Sequence, residues 1–329
     1  MEIGKELLYL SRADVEKADI SIKEYIDVLA ESFKIKTQGS IDMPNKTGIV
    51  PRSEGWFHAM PCYVGGSVDA SGMKWISMNK LNPGRGHMAL NGLIIISDSE
   101  TCLPVAVLDC IHITGMRTGA VSGLAFRLLA RGDETVAGII GCGLQGRTNL
   151  EALLCECPKI ETIYAWGPRK ETVLRYCADI KASLGREVTP LETQEELVRR
   201  SQILAITAPG YPLSYRSIQA DWIQKGTTIT TVNQDHQFVE GEVNKFVDRI
   251  YVDDIPTFNN SKTTEGAFIG ITKRPIELGE VLLDIKLGRE SPDEIILSAP
   301  IGIGMDDVVT GKLIVNRALK MGIGTLLPL

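Results

Sequence analysis

Three glycines, Gly141, Gly143 and Gly146, stand in the spacing G-x-G-x-x-G, directly after the apolar run TVAGII and directly before a helix-forming stretch. That order gives each glycine a task. The first permits a tight turn, the second lets backbone approach a pyrophosphate, and the third lets a helix pack closely on a strand. The helix start, with the N–H groups of Leu144 and Gln145, favours anionic phosphates. A glycine-rich turn that binds nothing is the plainer alternative, and the complete strand, motif and helix order argues against it. The following strand, TIYAW, ends in Gly167-Pro168-Arg169-Lys170, where a carboxylate would be needed for the ribose 2′-hydroxyl of NAD. Arg169 and Lys170 suit a 2′-phosphate instead. NADP(H) is therefore the preferred cofactor and NAD(H) the second candidate, with a solvated basic turn as the structural alternative. Asp235, just beyond TTITTVN, sits at the carboxyl end of a strand, where ligands of open α/β sheets gather; an acid-base group and a helix N-cap fit that place equally. Thr207, after ILAI, has the same placement and would touch the cofactor or serve a turn.

The elements that position these residues alternate. Strand-like ETIYAW, ILAIT, TTITTVN and RIYVDD are interleaved with helical NLEALLCE and ETVLRYCADIKASL, which implies a parallel sheet with helices on both faces, a Rossmann-type doubly wound α/β domain over 118–306. Before Arg117 the character differs. SIKEYIDVLAESF places Ile22, Tyr25, Ile26, Leu29 and Phe33 on one helix face behind a Ser21/Glu24 capping box. Short β-rich pieces such as GMKWISM and GLIIIS then fill residues 40–115. A small-residue helix, GAVSGLAFRLLA, is expected after Arg117. The last amphipathic stretch, Asp307 to Lys320, can return to the first domain.

Composition narrows the class. The 329 residues, 44% hydrophobic and 23% charged, suit two globular domains with sizeable cores. A formal charge of -6 without a Lys/Arg-rich stretch argues against nucleic acid. No segment is apolar over the ~20 residues that span a bilayer, and Met1 to Asp14 lacks a signal-peptide h-region. The seven cysteines, at 62, 102, 110, 142, 155, 157 and 177, have no C-x2-C spacing. No metal is expected, and a reducing cytoplasm is the natural compartment. His87 and His112 lack partners at metal-ligand spacing.

Several further segments occur in order: PNKT at 44–47, AMPCYVGG at 59–66, MKW at 73–75, NPGRG at 82–86, DSETCLPVAVLD at 98–109, MRTGAVS at 116–122, GCGLQGR at 141–147, WIQKGTTITTVNQD at 222–235, VDD at 252–254 and GIGMDD at 302–307. Together they resemble the ornithine cyclodeaminase and mu-crystallin family over nearly the whole chain. The resemblance implies a discontinuous α+β domain, 1–117 with 307–329, that binds substrate and makes a homodimer. It implies that Lys74 and Arg117 hold a substrate carboxylate, with Lys74 also acting in catalysis, and that Asp235 is the acid-base aspartate. Both cations are expected where sheet gives way to turn or helix. Lys46 stands where many relatives carry a carboxylate-gripping arginine; lysine keeps the charge and loses the fork, and Arg52 is the other candidate for the role. His58 falls where ornithine cyclodeaminases carry a glutamate for the distal amine, and an imidazole offers that ammonium no fixed negative charge. Gly302 is implied as a backbone contact on the nicotinamide side, with Asp307 starting a helix.

These readings imply an NADP(H)-dependent oxidoreductase at the carbon-nitrogen bond of an α-amino or α-imino acid. Cyclodeamination with recycled NAD is the second reading, and a non-catalytic ligand-binding protein the third.

Overall fold

The computed structural model describes residues 1–209 and 216–329. They form two compact units, Met1–Arg117 with Ile303–Leu329, and Thr118–Gly302. The first unit opens with β1 (Glu6–Leu10), α1 (Arg12–Lys17), α2 (Ile22–Thr37), β2 (Ile41–Asp42), β3 (Thr47–Arg52), β4 (Gly55–Val64), β5 (Ala70–Asn79), β6 (Leu90–Ser97) and β7 (Pro104–Asp109). In α2 the Ser21 hydroxyl and the Glu24 carboxylate cap each other's backbone, and Ile22, Tyr25, Ile26, Leu29 and Phe33 are buried, the face expected from their spacing.

The chain leaves this unit inside a helix, α3 (Ile111–Leu129), not through a linker. Its first turns run through IHITGM, whose β-branched residues read as continuing strand; that is why the sequence alone begins the helix only after Arg117. Arg117 is therefore mid-helix, and Lys74 is mid-strand in β5, neither at a junction.

The second unit contains β8 (Val136–Ile140), α4 (Leu144–Glu156), β9 (Thr162–Trp166), α5 (Lys170–Leu184), β10 (Thr189–Pro190), α6 (Gln194–Arg200) and β11 (Ile203–Ile206). After these come β12 (Thr228–Thr231), α7 (Val243–Phe246), β13 (Arg249–Val252), α8 (Ile255–Thr264), β14 (Ile276–Glu277), α9 (Leu278–Leu282) and β15 (Ile296–Ser298). All eight strands are parallel, in the order β10-β9-β8-β11-β12-β15-β13-β14. Along β11, Ile203 and Ala205 enter one apolar cluster while Leu204 and Ile206 enter the other. Both faces of the sheet are thus buried, which is why the strand reads as an unbroken apolar run. The order turns back on itself between β8 and β11, and in open sheets ligands lie at the carboxyl ends of such a pair.

The chain then returns to the first unit as α10 (Gly304–Met321) and β16 (Thr325–Pro328). The strand β16 pairs antiparallel with β1, an addition that the sequence reading missed in the four residues TLLP. The sheet runs β16-β1-β7-β6-β5-β4-β2, with β3 on β4; β1 and β7 are parallel and the other neighbours antiparallel. The helix α10 packs across β4, β5 and β6 and against α2. A Cβ on Gly304 would lie 2.9 Å from the Met60 carbonyl oxygen, so only glycine lets the helix start this close to β4. Register puts Met60, Lys74 and Ile94 on the face that α10 covers. Tyr9, Ile49, Tyr63, Leu93 and Leu327 lie on the opposite face and are exposed.

Candidate active site

The glycine loop closes where the sheet order turns. Gly141 follows β8 at φ 103°, and its N–H donates to the Trp166 carbonyl at 2.9 Å. A Cβ there would meet the Ala208 backbone nitrogen at 2.4 Å, and one on Gly146 would meet the Gly141 carbonyl oxygen at 2.2 Å. Those two glycines are demanded by packing. Gly143 differs: a Cβ would meet nothing within 4 Å. It is the N-cap of α4, and no side chain caps that helix. A helix start of thirteen residues' length, without a side-chain acceptor and beside open space over a glycine, fits the phosphates of a dinucleotide. Leu144, 47% exposed, and Gln145 form the first turn. Thr207 donates its hydroxyl hydrogen to the Gly141 carbonyl at 2.8 Å, so it braces the turn and has no hydrogen left for a cofactor. Cys142 within the loop is held neutral, burial pushing its thiol up to about 12.

At the end of β9 a cleft of ≈ 240 Å³ is lined by Trp166, Gly167, Pro168, Lys170, Leu174 and Glu192, among others. Arg169 is the exposed N-cap of α5. Lys170 pairs with Glu192 at 3.3 Å, a partner supplied by the segment after β10 that local sequence could not supply. The side chains are 72% and 82% exposed, so the pair holds weakly.

Asp235 lies in a turn beyond β12 and caps no helix. One carboxylate oxygen accepts the Phe268 N–H at 3.0 Å. Phe268 is buried at φ 55°, a costly conformation for a bulky residue, and packs on Phe258. Neighbouring His236 takes an Arg216 N–H on Nδ1 at 2.7 Å. Arginine cannot accept, so Nδ1 carries no proton, in keeping with burial pushing the imidazole below its ordinary value. Gly302, at φ 81°, donates its N–H to Asp253 at 2.7 Å; only its carbonyl remains for a ligand. Asp253 is a tether the sequence reading did not single out.

In the first unit, Lys74 and Arg117 meet two aspartates. Lys74 Nζ stands 2.6 Å from Asp307 Oδ2. Arg117 Nε donates to Asp307 Oδ1 at 3.1 Å, and its Nη1 to Asp306 Oδ2 at 3.4 Å. Lys74 is 1% exposed and both aspartates 0%. Asp307 Oδ2 makes no well-angled hydrogen bond, so its contact with Lys74 is an ion pair. Burial pushes the ammonium below its ordinary value, the Asp307 charge opposes that, and Arg117 adds to it. The helix-starting role expected of Asp307 belongs to Asp306, whose carboxylate accepts the Ile303 N–H at 3.2 Å. Adjacent aspartates on one helix turn look alike in sequence; only the packing of α10 on β5 separates them.

Lys46 immediately precedes β3, and continuing the register of Thr47 with Ala59 sets it opposite Met60, on the Lys74 face. Arg52 is at the other end of β3, opposite Gly55 and Asn79. Five residues along β5 at ~3.3 Å each put it about 16 Å from the level of Lys74. Lys46, not Arg52, is thus the cation of this strand at the level of Lys74. His58 is two residues along β4 from Met60 on the same face, stacked on Trp56 with ring centroids 4.1 Å apart. Among the described residues no group of His, Cys, Asp or Glu could hold a metal ion, and no helix is long and apolar enough to cross a membrane. The seven cysteines are free thiols.

A parallel doubly wound sheet with a glycine loop at its switch point, joined to a mixed-sheet unit carrying buried cations, defines a dinucleotide-dependent α/β enzyme of two units. Residues 5–322 match the Ornithine cyclodeaminase/mu-crystallin family, and the chain belongs to that family. It is 32% identical to N-((2S)-2-amino-2-carboxyethyl)-L-glutamate dehydrogenase of Staphylococcus aureus, covering 99% of this chain and 100% of that one. It is 31% identical to alanine dehydrogenase of Archaeoglobus fulgidus, over 97% and 98% of the two chains. The structure of Thermococcus litoralis Delta(1)-pyrroline-2-carboxylate reductase in complex with NADH and L-proline superposes with a TM-score of 0.85 at 31% identity, over 97% of this chain and 99% of that one. An archaeal alanine dehydrogenase dimer with bound NAD gives 0.86 at 29% identity, over 98% and 99%.

Proposed function

We propose that this protein, an NAD(P)-dependent enzyme of the imino-acid reductase and amino-acid dehydrogenase kind, works at the α-carbon–nitrogen bond of an amino or imino acid and prefers NADP(H). The observation that carries the reading is the buried Lys74–Arg117 pair. A buried cluster of two cations and two aspartates adds little stability over apolar packing, which points to a role in binding, and the relatives named above act on or hold α-amino acids, whose shared group is the α-carboxylate.

In this reading Lys74 and Arg117 take the substrate carboxylate, with Lys46 as a further point charge and His58 beside the substrate. The Lys74 ammonium, held beside Asp307 as an ion pair, carries the N–H donors for an incoming oxygen and the charge that stabilises developing negative charge. Asp235 exchanges the proton on the nitrogen; the Phe268 N–H holds one of its oxygens and leaves the other for that task. The glycine loop, with Leu144 and Gln145, takes the pyrophosphate. Thr207 keeps that loop in shape, and the Gly302 carbonyl would be the backbone contact on the nicotinamide side. When bound, the nicotinamide supplies or accepts the hydride at the α-carbon.

Arg169 and Lys170 support NADP(H), because the 2′-phosphate can displace Glu192 from a weak surface pair. The same Glu192 favours a second reading, NAD(H), by bringing a carboxylate to the ribose end of the cleft; NADH and NAD are the cofactors in the two solved relatives. A homodimer through the exposed apolar sheet face is proposed, in keeping with the archaeal dimer. A cytoplasmic location accords with the free cysteines.

The test is a fluorescence titration with NADPH and NADH, followed by absorbance of the reduced cofactor with pyruvate plus ammonia or methylamine and with cyclic imino acids. NADPH preference and steady consumption are expected. Asp235→Asn should bind cofactor normally and lose about 10²- to 10⁴-fold in turnover; undiminished turnover would remove Asp235 from the mechanism.

A further inference from the structure

We propose that Asp307 is the positioning residue of the carboxylate clamp: its two oxygens bridge Lys74 and Arg117, fix their spacing, and keep the Lys74 ammonium charged where solvent does not reach. The proposal rests on reading Lys74 and Arg117 as the groups that take the substrate carboxylate.

Three observations carry it. Asp307 touches both cations, Lys74 through Oδ2 at 2.6 Å and Arg117 through Oδ1 at 3.1 Å. It does no capping work, since Asp306 satisfies the first orphan N–H of α10. And it is fully buried on a helix whose start is fixed against β4 by Gly304, so it is delivered by rigid backbone and not by a mobile loop.

The charged and titratable groups around Lys74 leave this task to Asp307. From α10 come Asp307 and Asp306; from α3 comes Arg117, which repels the ammonium; from the turn before α3 comes Cys110, from β4, facing the two aspartates, Cys62, and from just before β3, on the same sheet face, the cation Lys46. Burial pushes the two thiols up to about 11 and about 12, so neither is an anion at neutral pH. Asp306 is spent on the helix start and on Arg117. Without Asp307 the ammonium would face a guanidinium in a site with 1% exposure, where a lysine loses its proton in preference to staying charged. A neutral Lys74 attracts a carboxylate poorly.

The test reads Lys74 directly. Protein labelled with carbon-13 at lysine Cε is titrated by NMR, with Lys74→Arg identifying the Lys74 signal by its loss. Asp307→Asn should lower the titration midpoint of Lys74 by about two pH units, while Asp306→Asn moves it less. An unmoved midpoint in D307N overturns the proposal. This readout needs no turnover, so it stands apart from the substrate reading, which fails if no imino or amino acid is converted.

With an active substrate, the alkaline limb of kcat/KM should move down by the same amount in D307N, KM should rise more than kcat falls, and NADPH affinity should stay unchanged. Restoring a permanent charge with K74R in the D307N background should abolish the alkaline shift. A uniform loss of rate with the limb in place would mean that Asp307 is structural, and would overturn the proposal. Should D307N not fold, K74R alone decides: the alkaline limb should vanish, and its persistence would refute Lys74 as the titrating group that Asp307 protects.

Discussion

Replacing Gly143 by alanine separates binding from folding more cleanly than any other change in the glycine loop. Gly143 has φ -99° and ψ -158°, which alanine adopts without strain, and its new methyl meets nothing within 4 Å. Alanine restricts the unfolded chain, a gain of about 0.4–1 kcal/mol, but is a poorer N-cap than glycine by about the same amount. These nearly cancel, so Tm should change by no more than about 2 °C. The methyl occupies the space where a pyrophosphate must approach, and holding the phosphates off the first turn of α4 forfeits at least one charge-assisted hydrogen bond. That is about 1.5–3 kcal/mol, or roughly 10- to 150-fold in Kd. A fluorescence titration with NADPH and a thermal melt measure both quantities. Gly146→Ala is the control: its methyl would lie 2.2 Å from the Gly141 carbonyl oxygen, so melt and affinity should both deteriorate. Unchanged affinity in G143A would mean that the phosphates do not lie over Gly143, and the cofactor assignment built on the loop would fall.

Two more expectations follow from surface charge. Replacing Arg169 and Lys170 together by alanine should weaken NADPH about 10- to 100-fold and NADH little, since paired cations on a phosphate contribute charge-assisted bonds of about 1.5–3 kcal/mol; equal loss for both cofactors would place the 2′-phosphate elsewhere. The Glu24 carboxyl is held below the usual range by the Ser21 N–H and hydroxyl, and then by Arg317. Its stabilisation is therefore present above the ordinary glutamate value of about 4.3 and disappears as pH falls through the lower folded-state value. Glu24→Gln should cost about 0.5 kcal/mol near neutrality, kept small by solvent screening. Denaturant melts at pH 7 and in acid should show that difference closing; a constant difference would refute the assignment.

The second unit was readable from the chain because its signals are local. Gly141, Gly143 and Gly146 act within one turn, and the strands of a sheet buried on both faces announce themselves as apolar runs. The capping box of α2 spans four residues and needs no tertiary partner. Where the reading slipped, β propensity was overruled by context. IHIT belongs to α3 because the helix is set by burial of Ile111, Ile113 and Met116, not by the preference of isolated residues.

By itself, then, the sequence determined two units, the dinucleotide loop, the basic end of β9 and the residue types of the proposed carboxylate site. It could not say what those residues face. Tertiary structure alone paired Lys74 with Asp307, more than two hundred positions away, and gave the helix cap to Asp306. It alone brought Glu192 to Lys170 and the Phe268 amide to Asp235, and carried Arg52 away from the level of Lys74. The reason is physical: a turn or a helix face is fixed by neighbours in the chain, whereas the charge state and free donors of a buried group depend on what the fold sets against it.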